Sequence, residues 1–345
     1  MKIAGREIGR GAPPYVIAEM SANHNGNIET AFHLIEKAKK AGADAVKIQT
    51  YSPDTMTLNC ESEDFQIHGG LWDGWSLYKL YEKAQTPWDW HDRLFTHAHK
   101  VGITIFSTPF DTTAVDLLED LNAPAYKIAS FEAIDLPLIK YVASTGKPMI
   151  ISTGMANLKE IEEAIDVARA GGAKELAILH CVSGYPAPAD EYNLRTIPDI
   201  IQKFSVITGL SDHTLDNATA IASVALGAAI IEKHFTINRS NGGPDDSFSL
   251  EPADLSALCH GVRTAWMALG EIDYSRKSSE QVIAKFRRSL YFVRDLSAGE
   301  VITVDAVRSV RPGYGLAPKF IDGVIGKVVN QDVKKATAVT WEHIK

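Results

Sequence analysis

Cysteine is scarce in this chain. Cys60, Cys181 and Cys259 form an odd set with no CxxC spacing, which excludes a disulfide framework and fits reduced thiols in a cytoplasm. Positive charge is also short: 35 Lys and Arg against 43 Asp and Glu leave a net charge of -8. That balance argues against a general nucleic-acid binder, so an anionic substrate must be met by a local basic cluster. No stretch approaches the roughly 20 apolar residues of a membrane span. The opening MKIAGREIGRG lacks the apolar core of a signal peptide. No internal repeat or low-complexity segment stands out. Hydrophobic residues make up 45% and charged residues 23% of the chain, so an ordinary globular protein is expected.

What is present is a rhythm. Eight β-like runs occur at 15–21, 45–51, 103–110, 125–130, 148–154, 176–183, 206–212 and 230–235. Amphipathic segments such as IETAFHLIEKAKKAG and LKEIEEAIDVARAGG separate them, with apolar residues at helical spacing and a closing Gly. Eight strands each followed by a helix predict a (β/α)8 barrel of the TIM type. A doubly wound sheet is the alternative, but it usually carries a Gly-rich phosphate fingerprint after its first strand, and SANHNGN is not one. The barrel is expected over 1–275 and a connecting segment over 276–284. A small β-rich domain of short strands with Gly/Pro turns follows over 285–345. The stretch after the second strand, PDTMTLNCESEDFQIHGGLWDGWSLYKLYEKAQTPWDWH, is too long for a plain connection and predicts a lid or substrate-binding loop. NRSNGGPDDSFSLEP, after the eighth strand, follows the same logic.

Groups at the C-terminal ends of barrel strands converge on one mouth, and residues two apart on a strand face the same side. Lys47 pairs with Gln49 in this way, and Glu232 with His234. Lys47 and Lys127 stand inside apolar runs, where an unpaired ammonium is costly. Each must meet an anion, either a bound substrate or a structural carboxylate. The hydroxyls of Thr108, Ser130, Ser152 and Ser211 beside two ammoniums suit a phosphate and a carboxylate together. His213 and His234, each just past an apolar run, are candidate ligands for a divalent metal with open positions; a hydrogen-bonded core pair is the plainer alternative. Glu19 is a candidate base or a lysine's partner. His180 reads as a buried, satisfied histidine. The tryptophans of LWDGW and TPWDW are read mainly as packing groups.

The combination SANHNG, KIQTY, STPF, YKIAS, ISTGM, HCVSGYP, GLSDHT and IEKHF resembles the sialic acid synthase family, whose members condense phosphoenolpyruvate with an amino sugar. The tail RRSLYFVRDLSAGEVIT…VRPGYGL is similar to that family's antifreeze-like (SAF) domain. QTYSPDTMT, GGLWDGWSLYKLYEKAQTPWDWH, YKIASFE and GGPDDSFSLEP resemble the branch acting on 2,4-diacetamido-2,4,6-trideoxy-L-altrose. Neuraminate- and legionaminate-type members usually carry GPDHxxSL, where this chain has Asp246, Ser247 and Phe248 after GGPD. Ser183, in HCVSGYP, stands where the family places an Asn or Ser.

The resemblance implies that His213 and His234 bind Mn2+ or Mg2+. It implies that Lys47, Thr108, Lys127, Ser130, Ser152, Ser183 and Ser211 hold phosphoenolpyruvate, and that Glu19 orients or deprotonates water or sugar. Gln49, Tyr185, Glu232 and Asp245 are implied to contact the acetamido sugar. Arg311 would reach the sugar bound by the partner subunit of a domain-swapped homodimer. Phe248 is expected to offer an apolar surface to the sugar's terminal methyl. Neither nucleic acid nor membrane is expected as a partner. A sibling synthase making N-acetylneuraminate or legionaminate is one competing reading; a metal-dependent pyruvate aldolase and a non-catalytic sugar-binding protein are two others. Two lysines with a hydroxyl cluster weigh against the aldolase, and the intact Glu19, His213 and His234 against the non-catalytic protein.

Overall fold

The computed structural model describes residues 1–345. An antiparallel hairpin, β1 (Lys2–Ile3) and β2 (Arg6–Glu7), comes first. Eight parallel strands follow: β3 (Tyr15–Glu19), β4 (Ala45–Thr50), β5 (Thr104–Pro109), β6 (Tyr126–Ile128), β7 (Met149–Ser152), β8 (Leu176–Cys181), β9 (Ile207–Ser211) and β10 (Ile230–His234). They close into a barrel in which β10 pairs with β3. The expected barrel is therefore present, with strands at the positions the rhythm predicted.

Helices separate the strands in the expected order. They are α1 (Ile28–Ala41), then α2 (Pro53–Met56), α3 (Leu77–Ala84) and α4 (His91–Val101) between β4 and β5, then α5 (Thr112–Asp120), α6 (Leu136–Ser144), α7 (Leu158–Gly171), α8 (Thr196–Phe204), α9 (Ala218–Ala225) and α10 (Pro252–Leu269). Local signals set their ends. The Asn27 side chain accepts the Glu29 amide, and Gly42 closes α1 at φ 96°, a left-handed conformation that costs glycine nothing. Asn157 and Glu160 form a reciprocal cap on α7. The long stretch after β4 is not bare loop, because α2 and α3 lie within it.

Alternation along the strands divides the barrel interior into two layers. At the N-terminal end Ile3, Ile8, Tyr15, Ile17, Phe106, Ile150, Leu179 and Ile230 form one apolar cluster, so the β1–β2 hairpin plugs that end. Two residues further along the same inward rows stand Glu19, Thr108, Ser152 and Glu232, all buried. Gly209, on the inward row of β9, leaves no room for a side chain. A Cβ there would lie 2.3 Å from the Ile230 carbonyl oxygen and 2.7 Å from Leu179 Cδ2. The outward rows, including Val16, Ile48, Ile151 and Ile178, pack in a second core that includes Leu34, Leu94 and Ile165 of the helices.

The chain divides into two compact units, Met1–Gly270 and Glu271–Lys345. In the second, β11 (Ser289–Phe292) pairs antiparallel with β12 (Val307–Val310) around a small core of Leu290, Phe292, Ile302, Val329 and Val339. GKVVNQDVKKATAVT forms isolated bridges at Val328, Val329, Val333 and Ala338 rather than strands. Its turns recur every few residues and leave no run long enough for a ladder. No helix of the structure is long and apolar enough to cross a membrane.

Candidate active site

Two lysines and two glutamates form the floor of the barrel mouth. Lys47 Nζ lies 2.7 Å from Glu19 Oε2 and 3.7 Å from Glu232 Oε1. Lys127 Nζ lies 3.5 Å from the same Glu232 oxygen. All four side chains are less than one-tenth exposed. Lys47 also donates to Thr108 Oγ1 at 3.0 Å, and Gln49 Nε2 donates to Glu19 Oε1 and Ser21 Oγ, each at 3.0 Å. Ion pairing and substrate binding, the two readings of the lysines, are thus not exclusive, because the carboxylates hold the ammoniums in place without using all their protons.

Burial pushes the Glu19 carboxyl above its usual range; Lys47 opposes this and Glu232 adds to it. Burial acts the same way on Glu232, but Lys127, Lys47 and His213 outweigh it and leave that carboxyl below the usual range. Burial lowers Lys127, with Glu232 opposing. For Lys47 burial works downward too, but Glu19 and Glu232 overcome it and raise the ammonium.

Beside this floor lies a cradle of small groups. The Gly154 amide donates to Ser130 Oγ at 3.2 Å. Ser152 Oγ and Ser183 Oγ are buried without any hydrogen-bond partner. A Cβ on Gly154 would lie 2.2 Å from Ser183 Oγ and 2.9 Å from Ser130 Oγ, so any side chain there would push both serine hydroxyls aside. Unpartnered buried hydroxyls cost about 1–3 kcal/mol each, and an anion's oxygens would satisfy them.

The histidines come from neighbouring strand ends. The rings of His213 and His234 are 5.5 Å apart. His213 Nδ1 donates to the Val182 carbonyl at 2.8 Å, so Nε2 is the nitrogen left for a ligand once its proton is lost. His234 is held neutral, well below its usual pKa, by burial and then by His213, Lys47, Lys127 and Lys233, and its Nδ1 is buried without a hydrogen-bond partner. His213 differs: burial lowers it, but Cys181, the Val182 carbonyl and Glu232 outweigh burial and raise its pKa. Once His213 gives up its second proton, the two imidazoles, one with an orphaned nitrogen, fit a divalent ion whose remaining positions stay open. No cluster of three or more His, Cys, Asp or Glu side chains accompanies them. His180 is the satisfied histidine that was expected, with Nε2 against the Tyr192 carbonyl.

A cavity of about 400 Å³ opens above, lined by Gln49, Tyr185, His234 and Asp245 together with Tyr51, Trp72, Leu80, Tyr81, Phe110 and Phe131. The stretch after β4 supplies much of this wall, as a substrate loop should. Trp72 faces the cavity and donates to the Pro244 carbonyl at 3.1 Å. Trp88 and Trp90 pack, against the Tyr51 carbonyl and the His24 ring. The expectation for Phe248 is corrected. It is 3% exposed, packs on the rings of His234 and Tyr185, and is absent from the cavity wall. Tyr51, Leu80, Phe110 and Phe131 form the apolar wall instead. Ser211, at the end of β9, is buried on the inward row. Arg311 lies in the second unit and is exposed.

Two groups were not singled out from the sequence. Gly154 directly follows the Ser-Thr end of β7, a signal available in ISTGM. Glu132 lines the cavity with Oε2 buried and unpartnered. Burial lifts its carboxyl from the usual 4.5 to about 7. An acid two residues past Ser130 was the available hint.

The fold and site together define a (β/α)8 barrel with a buried charged floor beneath a partly apolar cavity. Residues 34–274 match the NeuB family and residues 287–345 match the SAF domain, and the chain belongs to the NeuB family. It is 43% identical over 327 residues to a pseudaminic acid synthase of Campylobacter jejuni, covering 94% of this chain and 95% of that one. To an N,N'-diacetyllegionaminic acid synthase of the same organism it is 37% identical, covering 93% and 97%. Among solved structures it resembles the spore coat polysaccharide biosynthesis protein SpsE of Bacillus subtilis, with a TM-score of 0.68, 34% identity and coverage of 100% and 99%.

Two outcomes follow from this geometry. Gly154→Ala will weaken phosphoenolpyruvate binding by roughly ten-fold or more, one charge-assisted contact's worth, as read by isothermal titration; an unchanged dissociation constant would remove the cradle. For Glu132, a folded pKa above the unfolded value means stability fully present at low pH and lost as pH rises through about 7. The melting temperature of ligand-free Glu132→Gln will therefore gain on wild type between about pH 5 and about pH 8. A pH-independent difference would show that Glu132 is not desolvated in solution.

Proposed function

We propose that the enzyme condenses phosphoenolpyruvate with 2,4-diacetamido-2,4,6-trideoxy-L-altrose and water, giving pseudaminic acid and phosphate. The observation that carries this reading is the joining of a lysine–hydroxyl cradle to a pair of histidines from neighbouring strand ends under one partly apolar cavity. The identity to the pseudaminic acid synthase of Campylobacter jejuni, above that to the legionaminic acid synthase of the same organism, favours this sugar over its siblings.

Lys47 and Lys127 neutralise the phosphate and carboxylate, and Thr108, Ser130, Ser152, Ser183 and Ser211 orient their oxygens, with Ser130 held by the Gly154 amide. Fixed donors of this kind stabilise charge without reorganising during reaction. Gln49, Tyr185, Glu232 and Asp245 orient the open-chain sugar so that its aldehyde faces C3 of phosphoenolpyruvate. When bound at His213 and His234, a divalent ion, Mn2+ or Mg2+, supplies Lewis acidity toward a sugar carbonyl. As the C3–aldehyde bond forms, positive charge builds at C2, and water adds there. Glu19, whose burial raises its pKa, is suited to take that water's proton. The tetrahedral product at C2 then releases phosphate.

The apolar wall of Tyr51, Leu80, Phe110 and Phe131 suits a sugar ending in a methyl, because a hydroxyl stranded there costs about 1–3 kcal/mol. Around the mouth, the loops after β6, β7 and β9 expose Phe131, Ile134, Met155, Leu158 and Leu215, with Met155 at 74%. A rim of this kind suits a second copy of the chain, whose tail domain would bring Arg311 to the sugar. Free Cys60, Cys181 and Cys259 fit a reducing cytoplasm.

The test is phosphate release with phosphoenolpyruvate and either sugar, with and without a chelator. The expected result is metal-dependent release, abolished in His213→Ala and His234→Ala, with higher kcat/KM for the diacetamido-trideoxy sugar than for N-acetylmannosamine. Equal kcat/KM for the two sugars would leave only the family. Full activity after complete chelation would remove the metal.

A further inference from the structure

The same strand ends that carry the two histidines carry a second pair of charges on the opposite face. Asp212 immediately precedes His213, and Lys233 immediately precedes His234. The register Glu232↔Ser211 and the bond from the Asp212 amide to the Glu232 carbonyl at 2.9 Å make Asp212 and Lys233 cross-strand neighbours. Side chains alternate on a strand, so these two point out of the barrel while the histidines point in. Lys233 Nζ donates to Asp212 Oδ2 at 2.9 Å and to the carbonyls of Thr214 and Asp216, each at 2.7 Å. The other Asp212 oxygen accepts the Thr214 amide at 2.9 Å. Both side chains are essentially inaccessible, at 1% and 0%.

These contacts have two consequences. All three ammonium protons of Lys233 are taken by this chain, so unlike Lys47 and Lys127 it has none for a substrate. What those protons hold is the backbone on both sides of His213, strand end and following turn together, and they hold it to β10 at the residue before His234. The His213 amide itself donates to Tyr192 Oη at 2.7 Å, so the backbone that carries the imidazole is anchored from a third direction. A buried ion pair contributes little to stability over an apolar pair of the same volume, and a fold-stabilising role alone does not account for its position.

We propose that the Asp212–Lys233 pair is a positioning latch that sets the separation of the His213 and His234 imidazoles for the metal ion. The latch rests on the reading of these histidines as the metal ligands. Groups that orient ligands from behind typically change metal affinity by about 10–100-fold when altered.

The experiment is Mn2+ titration of the metal-free protein, followed by the electron paramagnetic resonance signal of free Mn2+. It compares wild type with the charge-free double variant Asp212→Asn/Lys233→Met, and with Lys233→Arg, which keeps the charge but replaces a compact ammonium by a planar fork. Phosphoenolpyruvate binding to the metal-free proteins is measured alongside, with thermal melting as the check on folding. The latch predicts Mn2+ affinity weakened about ten-fold or more in the double variant, a smaller loss in Lys233→Arg, and phosphoenolpyruvate affinity unchanged in both. A folded variant, of either kind, that binds Mn2+ as wild type does would overturn it, and so would equal losses of Mn2+ and phosphoenolpyruvate affinity, which mark general loosening. Wild type that binds no Mn2+, or His213→Ala that binds it undiminished, would remove the metal reading itself and the latch with it.

Discussion

Two ammonium groups inside a barrel cannot be left alone, and much of this site follows from that constraint. Lys47 and Lys127 stand where strands are otherwise apolar, and desolvating an unpaired charge would cost several kcal/mol. Glu19 meets that cost from the neighbouring strand β3, and Glu232 reaches both lysines across the barrel interior from β10. The resulting alternation of charge is close to neutral as a group, so it can exist in a folded, ligand-free chain. It is also unsaturated, because the hydroxyls of Ser152 and Ser183 at the same strand ends have no partner of their own. A dianionic ligand can therefore enter without any group having to leave.

The barrel prepares that arrangement by dividing its interior. The apolar plug from the β1–β2 hairpin and the inward rows at the strand starts exclude water from one end. The polar groups are confined to the other end, where the long insertion after β4 roofs them with aromatic and aliphatic side chains. Close approach matters at two glycines. Gly209 lets β9 and β10 come together in the interior, and Gly154 lets a backbone amide reach the serine cluster.

The strands and their order were legible because period-two apolar runs ending in polar residues have few other solutions. Lys47 and Lys127 were legible for the same reason, since a lysine inside such a run must have an anionic neighbour. The pairing of both lysines with one glutamate, Glu232, was not legible, because it depends on barrel closure rather than on neighbours in the chain. Nor was the burial of Phe248 behind His234: a phenylalanine in a strand-end loop reads equally as wall or as packing, and only the fold decides. Gly154 escaped notice because a glycine's contribution there is the absence of a side chain, which becomes visible only beside Ser130 and Ser183. In the second unit, frequent turns predicted strands but broke them into single bridges.

The central claim is that the buried lysines are held ready for an anionic substrate by their glutamates, and the most direct measurement is calorimetric titration of phosphoenolpyruvate into wild type, Lys47→Met and Lys127→Met. A charge-assisted hydrogen bond is worth about 1.5–3 kcal/mol, so each folded variant is predicted to bind roughly ten-fold or more weakly than wild type. Unchanged dissociation constants in both variants would mean that the four charges are only a structural network and that phosphoenolpyruvate binds elsewhere.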